Sequence, residues 1–284
     1  MPTSSFTAPS VLTTAPLPDG GWRSRGRSMD ASLALHAVLR PVGHDDLAAA
    51  AMHRIRQVIE LGIVTEGERL PPERELARRL GVARMTLRDA LRGLAEIGYV
   101  TSRRGRGGGT FVTYRSHTQA FGTPHHGGLA SDVGDALAMQ AVLEPGAAEV
   151  AAQEPIDPST RMHLRHLLQV LAAATSSAAF CFADARLHVA VAELTRSSTV
   201  VAAVADVQTA LAGPLAALPP PAHAIRARHQ RALVDAIIAG RPNVARQEMG
   251  RDVEATAARL AGAGLTTERH ATPTHYVRRH KDDA

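Results

Sequence analysis

The sequence predicts a mainly α-helical protein in two parts: a small N-terminal module of helices closed by a β-hairpin, and a larger C-terminal all-α helical bundle. Three observations carry this. Hydrophobic residues make up 45% of the 284-residue chain but aromatic residues only 3%. A core of Ala, Leu and Val suits packed helices better than a β-sandwich, whose strands favour aromatic and β-branched residues. Apolar residues recur at helical spacing from Leu47 onward, punctuated by Gly and Pro. Strand patterning flanks one glycine-rich stretch, Gly105–Gly109.

Residues 1–46 are dense in Ser, Thr, Pro and Gly and sustain no helical period, so they read as a disordered tail. The module at 47–114 begins with LAAAAMHRIRQVIELG, which places Ala51, Ile55, Val58, Ile59 and Leu61 near one face and stops at Gly62. A loop follows, and Pro71–Pro72 sit where a helix can begin. ERELARRL turns Leu76 and Leu80 inward, Gly81–Val82–Ala83 is a tight break, and RMTLRDALRGLAEIG turns Leu87, Leu91, Leu94 and Ile97 inward. YVTSRR and TFVTY then form a hairpin around the glycines. Helix, helix, short turn, helix, hairpin is the order of a winged helix-turn-helix.

Residues 115–131 are polar and rich in Gly and His, a linker. From 132 to 262 the pattern predicts helices over 132–154, 158–176, 178–195, 198–213, 222–240 and 242–262. Pro145 falls inside the first, where it marks either a kink or an early turn. Residues 263–284 form a polar tail.

Charge separates the two parts. Residues 47–113 hold 12 Arg against 7 acidic residues, whereas 132–262 hold 11 Arg against 13. A basic small module joined to a near-neutral larger one points to a polyanion binder coupled to something else. The single cysteine, Cys181, excludes an intramolecular disulfide framework and any Cys-cluster zinc finger. It reads as a small core residue in a reducing, cytoplasmic compartment. No run of about 18 apolar residues is free of a charge or a Pro/Gly break, so no membrane partner is expected. The first residues lack the pattern of a secretory signal.

A recognition helix offers its N-terminal side chains to base edges in the major groove while neighbouring cations hold phosphates. Arg84, Met85, Thr86 and Arg88 cluster at such a terminus, away from Leu87 and Leu91, and Arg84 and Arg88 are i, i+4 neighbours. At the hairpin, Arg103, Arg104 and Arg106 flank or interrupt glycines that let the tip approach a sugar-phosphate backbone. No Lys-Ser/Thr follows those glycines, which argues against a nucleotide phosphate loop. In the bundle, Asp184 and His188 stand four residues apart on one helical face, a spacing at which a carboxylate and an imidazole can hold one divalent metal.

ERLPPERELARRLGVARMTLRDALRGLAEIGYVTSRRGRGGGTFV resembles the winged-helix domain of the GntR family of bacterial transcription regulators. The resemblance implies DNA contacts from Arg74, Arg84, Thr86 and Arg88, with Gly105 at the wing, to which the reading of the hairpin arginines adds Arg104. Pro72 and Ala83 stand where that pattern has Ser or Thr, and Ala83 removes a helix cap worth about 1 kcal/mol. The bundle resembles the FCD domain of the FadR subgroup: MQAVLEPGAAEVAA its opening helix, DARLH its Asp-x-x-x-His helix, and HQRALVDAIIAGRPNVARQEM its last two. The resemblance implies a cavity in which Asp and three His hold zinc or nickel and help bind a small carboxylate effector. Here Asp184 and His188 match, Gln230 takes the third ligand position and Asp252 the fourth, and Gln140 replaces the usual Arg. His229 is one residue out of register, about 100° away on a helix. Gln140 and Gln230 are therefore the candidate effector contacts, with Arg186 and Arg228 as alternative cations.

The function expected is a ligand-responsive, DNA-binding transcription regulator, a repressor reading a palindromic operator as a homodimer, and not an enzyme. A two-fold pair multiplies the few base pairs that one recognition helix reads. Two rival readings are an effector-blind architectural DNA-binding protein and a metal-dependent hydrolase that activates water at Asp184–His188.

Overall fold

A computed structural model describes residues 33–42, 46–114, 133–219 and 223–265, the backbone alone at 223–227. The glycine- and histidine-rich linker at 115–131 and most of the two expected tails lie outside these residues.

One part of the expected N-terminal tail is ordered. Helix α1 (Leu33–Val38) buries Ala34, Leu35, Ala37 and Val38. An isolated helix of this length is unstable in water. This one forms because its apolar side chains join a core shared with Ala185, Val189 and Ala192 of a later helix and with Val201, Val204 and Ala205 of the next. Burial against distant elements, which no local period reveals, overrides the tail reading.

Helix α2 (Leu47–Glu60) is capped by the Asp46 carboxylate, which accepts from the Ala49 amide at 3.1 Å. It buries Ala51, Ile55, Val58 and Ile59 as its spacing requires. It ends at Gly62, whose positive φ favours glycine. A Cβ at Gly62 would run into the Phe182 ring and the Arg186 side chain of the bundle. Helices α3 (Glu73–Leu80) and α4 (Arg84–Glu96) flank Gly81, which is left-handed at the α3 C-cap. Leu76, Leu80, Leu87, Leu91 and Leu94 meet in the core beneath them. Ile97 departs from the expected pattern, being exposed beyond the last turn.

Strands β1 (Val100–Arg103) and β2 (Gly109–Val112) pair antiparallel, from Val100 opposite Val112 to Arg103 opposite Gly109. Tyr99 and Tyr114 stack at the base of this hairpin, 4.2 Å between ring centres, and the Tyr99 hydroxyl donates to Glu60 of α2 at 2.6 Å. The wing is thereby tied to the helical core.

The bundle comprises α5 (Val133–Ala151), α6 (Pro158–Ala172), α7 (Ser177–Leu194), α8 (Ser198–Ala216), α9 (His223–Ile238) and α10 (Pro242–Gly262). Asp157, Ser176 and Ser197 cap α6, α7 and α8 through their side chains. Pro145 lies within α5 without ending it, so the early turn does not occur. One apolar cluster gathers Leu164, Leu187, Val191, Leu233, Ile237 and Met249, and a second gathers Leu137, Leu171, Phe180, Leu211 and Leu260. Cys181 is buried as a free thiol. Helix α8 is long and apolar enough to cross a membrane. Inside the bundle, however, it buries Asp206 and Gln208 along with Val204, Val207 and Leu211, which marks it as a core helix.

Candidate DNA-reading face and buried polar site

The N-terminus of α4 stands open. Arg84, Met85 and Arg88 are exposed and Thr86 half-buried, while Leu87 and Leu91 turn into the core. Arg74 on α3 is exposed, as are Arg103, Arg104, Gly105 and Arg106 of the hairpin. Arg88 pairs with Glu73 at 3.1 Å, both more than two-fifths exposed. A pair so open to solvent contributes little, and a phosphate can take the carboxylate's place. Arg103 lies over the Phe111 ring, 4.6 Å from its centre, which stiffens the hairpin. Gly105 has a positive φ, and Gly108 sits where a Cβ would strike the Arg103 carbonyl, so the tip needs its glycines. Neither Pro72 nor Ala83 supplies a side-chain cap to the helix it precedes.

In the bundle, Asp184 and His188 of α7 meet Asp252 of α10. One ligand atom from each lies within 4.8 Å of the others, and all three residues are buried. His188 Nε2 is 3.2 Å from Asp252 and 3.7 Å from Asp184. On the other side of the ring, Nδ1 lies 2.5 Å from Glu144 of α5. Glu144 also accepts from Gln208 of α8 at 2.7 Å and from Gln140 at 3.3 Å. The Gln230 amide nitrogen of α9 donates to Asp184. Burial disfavours the charged imidazolium, but Glu144, Asp252 and Asp184 together outweigh it and hold the His188 pKa well above its ordinary value. That balance reports a strongly negative surrounding, suited to a cation.

The donors fit a divalent metal. An imidazole nitrogen and two carboxylates converge, and the second ring nitrogen is held by a carboxylate, the arrangement that orients a metal-binding histidine. His188 Nε2 and Gln230 Oε1 are buried with no hydrogen-bond partner among the described residues, and Gln140 Oε1 likewise. Three of the four chain positions that the resemblance assigns as ligands therefore form the group, with Gln230 against it. His229 turns away and pairs with Glu248 at 2.9 Å. The alternative cations do not line the site. Arg186 lies over Phe182 with its charge toward Glu68 and Glu193, and Arg228 is exposed.

Sequence reasoning missed Glu144 and Gln208. A signal for Glu144 exists: Ala136, Gln140, Glu144 and Ala148 are spaced by four along α5 and all are buried. A glutamate in a row that begins and ends with alanine is a buried glutamate, and a buried glutamate has partners.

A three-helix winged module with an open arginine-bearing terminus, joined to a helical bundle with a polar interior, defines a ligand-responsive DNA-binding transcription regulator. The chain belongs to the GntR family of bacterial regulatory proteins. It matches "Bacterial regulatory proteins, gntR family" over residues 47–112 and "FCD domain" over residues 135–255. It is 30% identical over 208 residues to the L-lactate dehydrogenase operon regulatory protein of Escherichia coli, covering 69% of this chain and 79% of that one. The Uxu operon transcriptional regulator of Escherichia coli is 34% identical over 155 residues, 52% of this chain and 58% of its own length. RmpR, an HTH-type transcriptional regulator of Mycobacterium gastri, is 48% identical over 75 residues, 26% of this chain and 27% of its own length. Among solved structures, E. coli McbR/YncC is similar over 77% of this chain and 98% of its own at 16% identity, with a TM-score of 0.47.

Proposed function

We propose that the protein is a cytoplasmic repressor that reads a palindromic operator as a homodimer and is released or tightened by a small effector held near a divalent metal. The open α4 terminus carries the reading. Arg84, Thr86 and Arg88 face the major groove, Arg74 holds phosphate, and Arg104 with Gly105 lies along the minor groove. The metal is zinc or nickel, held by Asp184, His188 and Asp252. When bound, it supplies a Lewis-acidic centre on which an oxygen-bearing effector can rest. Glu144 fixes the His188 ring, and Gln140 and Gln230 turn amide groups toward the effector. With neutral Gln140 in place of a guanidinium, an effector less acidic than a simple carboxylate fits.

Selection of bound fragments from genomic DNA, followed by mobility-shift titration, tests the first half. Arg84→Ala or Arg88→Ala is expected to weaken specific binding about 5- to 150-fold, the loss of one bidentate contact worth about 1–3 kcal/mol, with the fold intact by circular dichroism. Unchanged titrations would remove α4 as the reading helix. Elemental analysis tests the second half: wild type retains metal after desalting and His188→Ala does not. If neither zinc nor any screened metabolite alters operator affinity, the effector-blind architectural reading replaces this one.

A further inference from the structure

Asp206 on α8 joins the bundle to the winged module. Its Oδ2 accepts from Arg40 at 2.5 Å, and its Oδ1 accepts from Arg54 at 2.6 Å and from Gln57 at 3.0 Å. Arg54 and Gln57 belong to α2 of the winged module, and Gln57 also reaches back to Thr209 of α8 at 3.1 Å. Arg40 belongs to the segment that follows α1. Helix α1 and that segment, residues 33–42, together form a strap with three attachments. At its start the Ala34 amide donates to Glu193 of α7 at 3.0 Å. Arg40 meets Asp206 on α8. At its far end the Val42 amide donates to the Leu80 carbonyl at 3.0 Å, and Pro41 packs on Gly81 in the turn that leads into α4.

The opposite face of α8 touches the polar site. Gln208 is two residues beyond Asp206, about 200° around the helix. Its amide donates to Glu144, the carboxylate that holds His188. One helix therefore carries a residue into the polar site and, on its other side, the carboxylate that grips the DNA-reading module.

We infer that Asp206 and the strap at 33–42 position the helix-turn-helix on the bundle, and that α8 transmits displacements of the His188–Glu144 site to it. Placement of the two parts is a property of the chain with neither metal nor operator bound. Two guanidinium groups converge on one carboxylate, so neutralising Asp206 removes the common anchor and leaves like charges facing one another. The contacts that Arg40, Arg54 and Gln57 make to the carboxylate weaken together, while Gln57 keeps its hydrogen bond to Thr209.

Pulsed dipolar spectroscopy on the full chain tests this, with spin labels at Arg92→Cys on α4 and Arg165→Cys on α6, both exposed positions, diluted with unlabelled chain. Cys181 stays buried. The parent gives one narrow distance distribution. Asp206→Asn is expected to lose that single peak while keeping its helical circular dichroism. Arg40→Gln, a change at the more accessible partner, is expected to broaden it. Glu144→Gln is expected to displace it through Gln208. An unchanged narrow peak in Asp206→Asn overturns the positioning role, and Arg40→Gln decides the matter by the same criterion if Asp206→Asn does not fold. A peak that responds to Asp206 but not to Glu144 overturns transmission through α8.

Discussion

His188 sits between two kinds of carboxylate. Asp184 and Asp252 approach the ring at Nε2, where a metal would bind, while Glu144 approaches Nδ1 and fixes how the ring presents itself. Loss of a partner of this second kind reduces metal affinity about 10- to 100-fold in comparable sites. Glu144→Gln is therefore expected to weaken zinc binding by that order, read by competition with a chromophoric chelator, while leaving the three proposed ligands Asp184, His188 and Asp252 in place. A smaller change than about twofold would mean that packing alone orients the ring. At this scale the sequence was partly legible. The i, i+4 spacing of Asp184 and His188 announced a shared face, and family registration added Asp252, Gln140 and Gln230. Glu144 comes from a helix 44 positions earlier in the chain. Its role depends on how α5 packs against α7, which no spacing within either helix encodes.

Elements were legible in proportion to how local their causes are. The helices of both parts fall where Gly, Pro and capping residues punctuate an apolar period, and the hairpin falls where glycines relieve its tip. Helix α1 was not legible, because six residues make no sustained period and its stability comes from α7 and α8. Helix α4 illustrates the opposite limit, in which a single missing atom is visible in the sequence. Ala83 has the extended backbone of a proper N-cap, φ −66° and ψ 151°, but no oxygen to offer the amides of the first turn. Ala83→Ser should stabilise the winged module by about 1 kcal/mol, measured by urea unfolding, because the backbone is already placed for the hydrogen bond. The position is exposed, so the added hydroxyl meets no steric opposition. If stability does not rise, the existing α4 terminus is already satisfied by solvent to the same degree.

The relation between the two parts is a property of the whole molecule, and electrostatics there is decided by burial. Arg40 keeps 28% of its side chain exposed, Arg54 only 10%, and Asp206 none. Arg40→Gln should therefore cost at most about 1 kcal/mol, as for a partly solvated pair. Asp206→Asn strands the buried Arg54 guanidinium and should cost about 3–5 kcal/mol at neutral pH. Acid separates this from a packing defect. Burial alone would raise the Asp206 pKa, but Arg54, Gln57 and Arg40 outweigh it and hold the carboxyl below its ordinary range. A carboxylate depressed on folding stabilises the native state above its unfolded pKa, about 3.9, and that contribution is lost as pH falls through the lower folded value. The stability gap between wild type and Asp206→Asn should thus be widest above about pH 4, narrow as pH falls from there toward the lower folded pKa, and level off once Asp206 is neutral in both states. Paired denaturant titrations from neutral to acid pH read the gap directly, since every other carboxylate titrates in both chains. A gap that stays constant with pH would assign the loss to shape and not to charge, and the arginines would then meet Asp206 without depending on it.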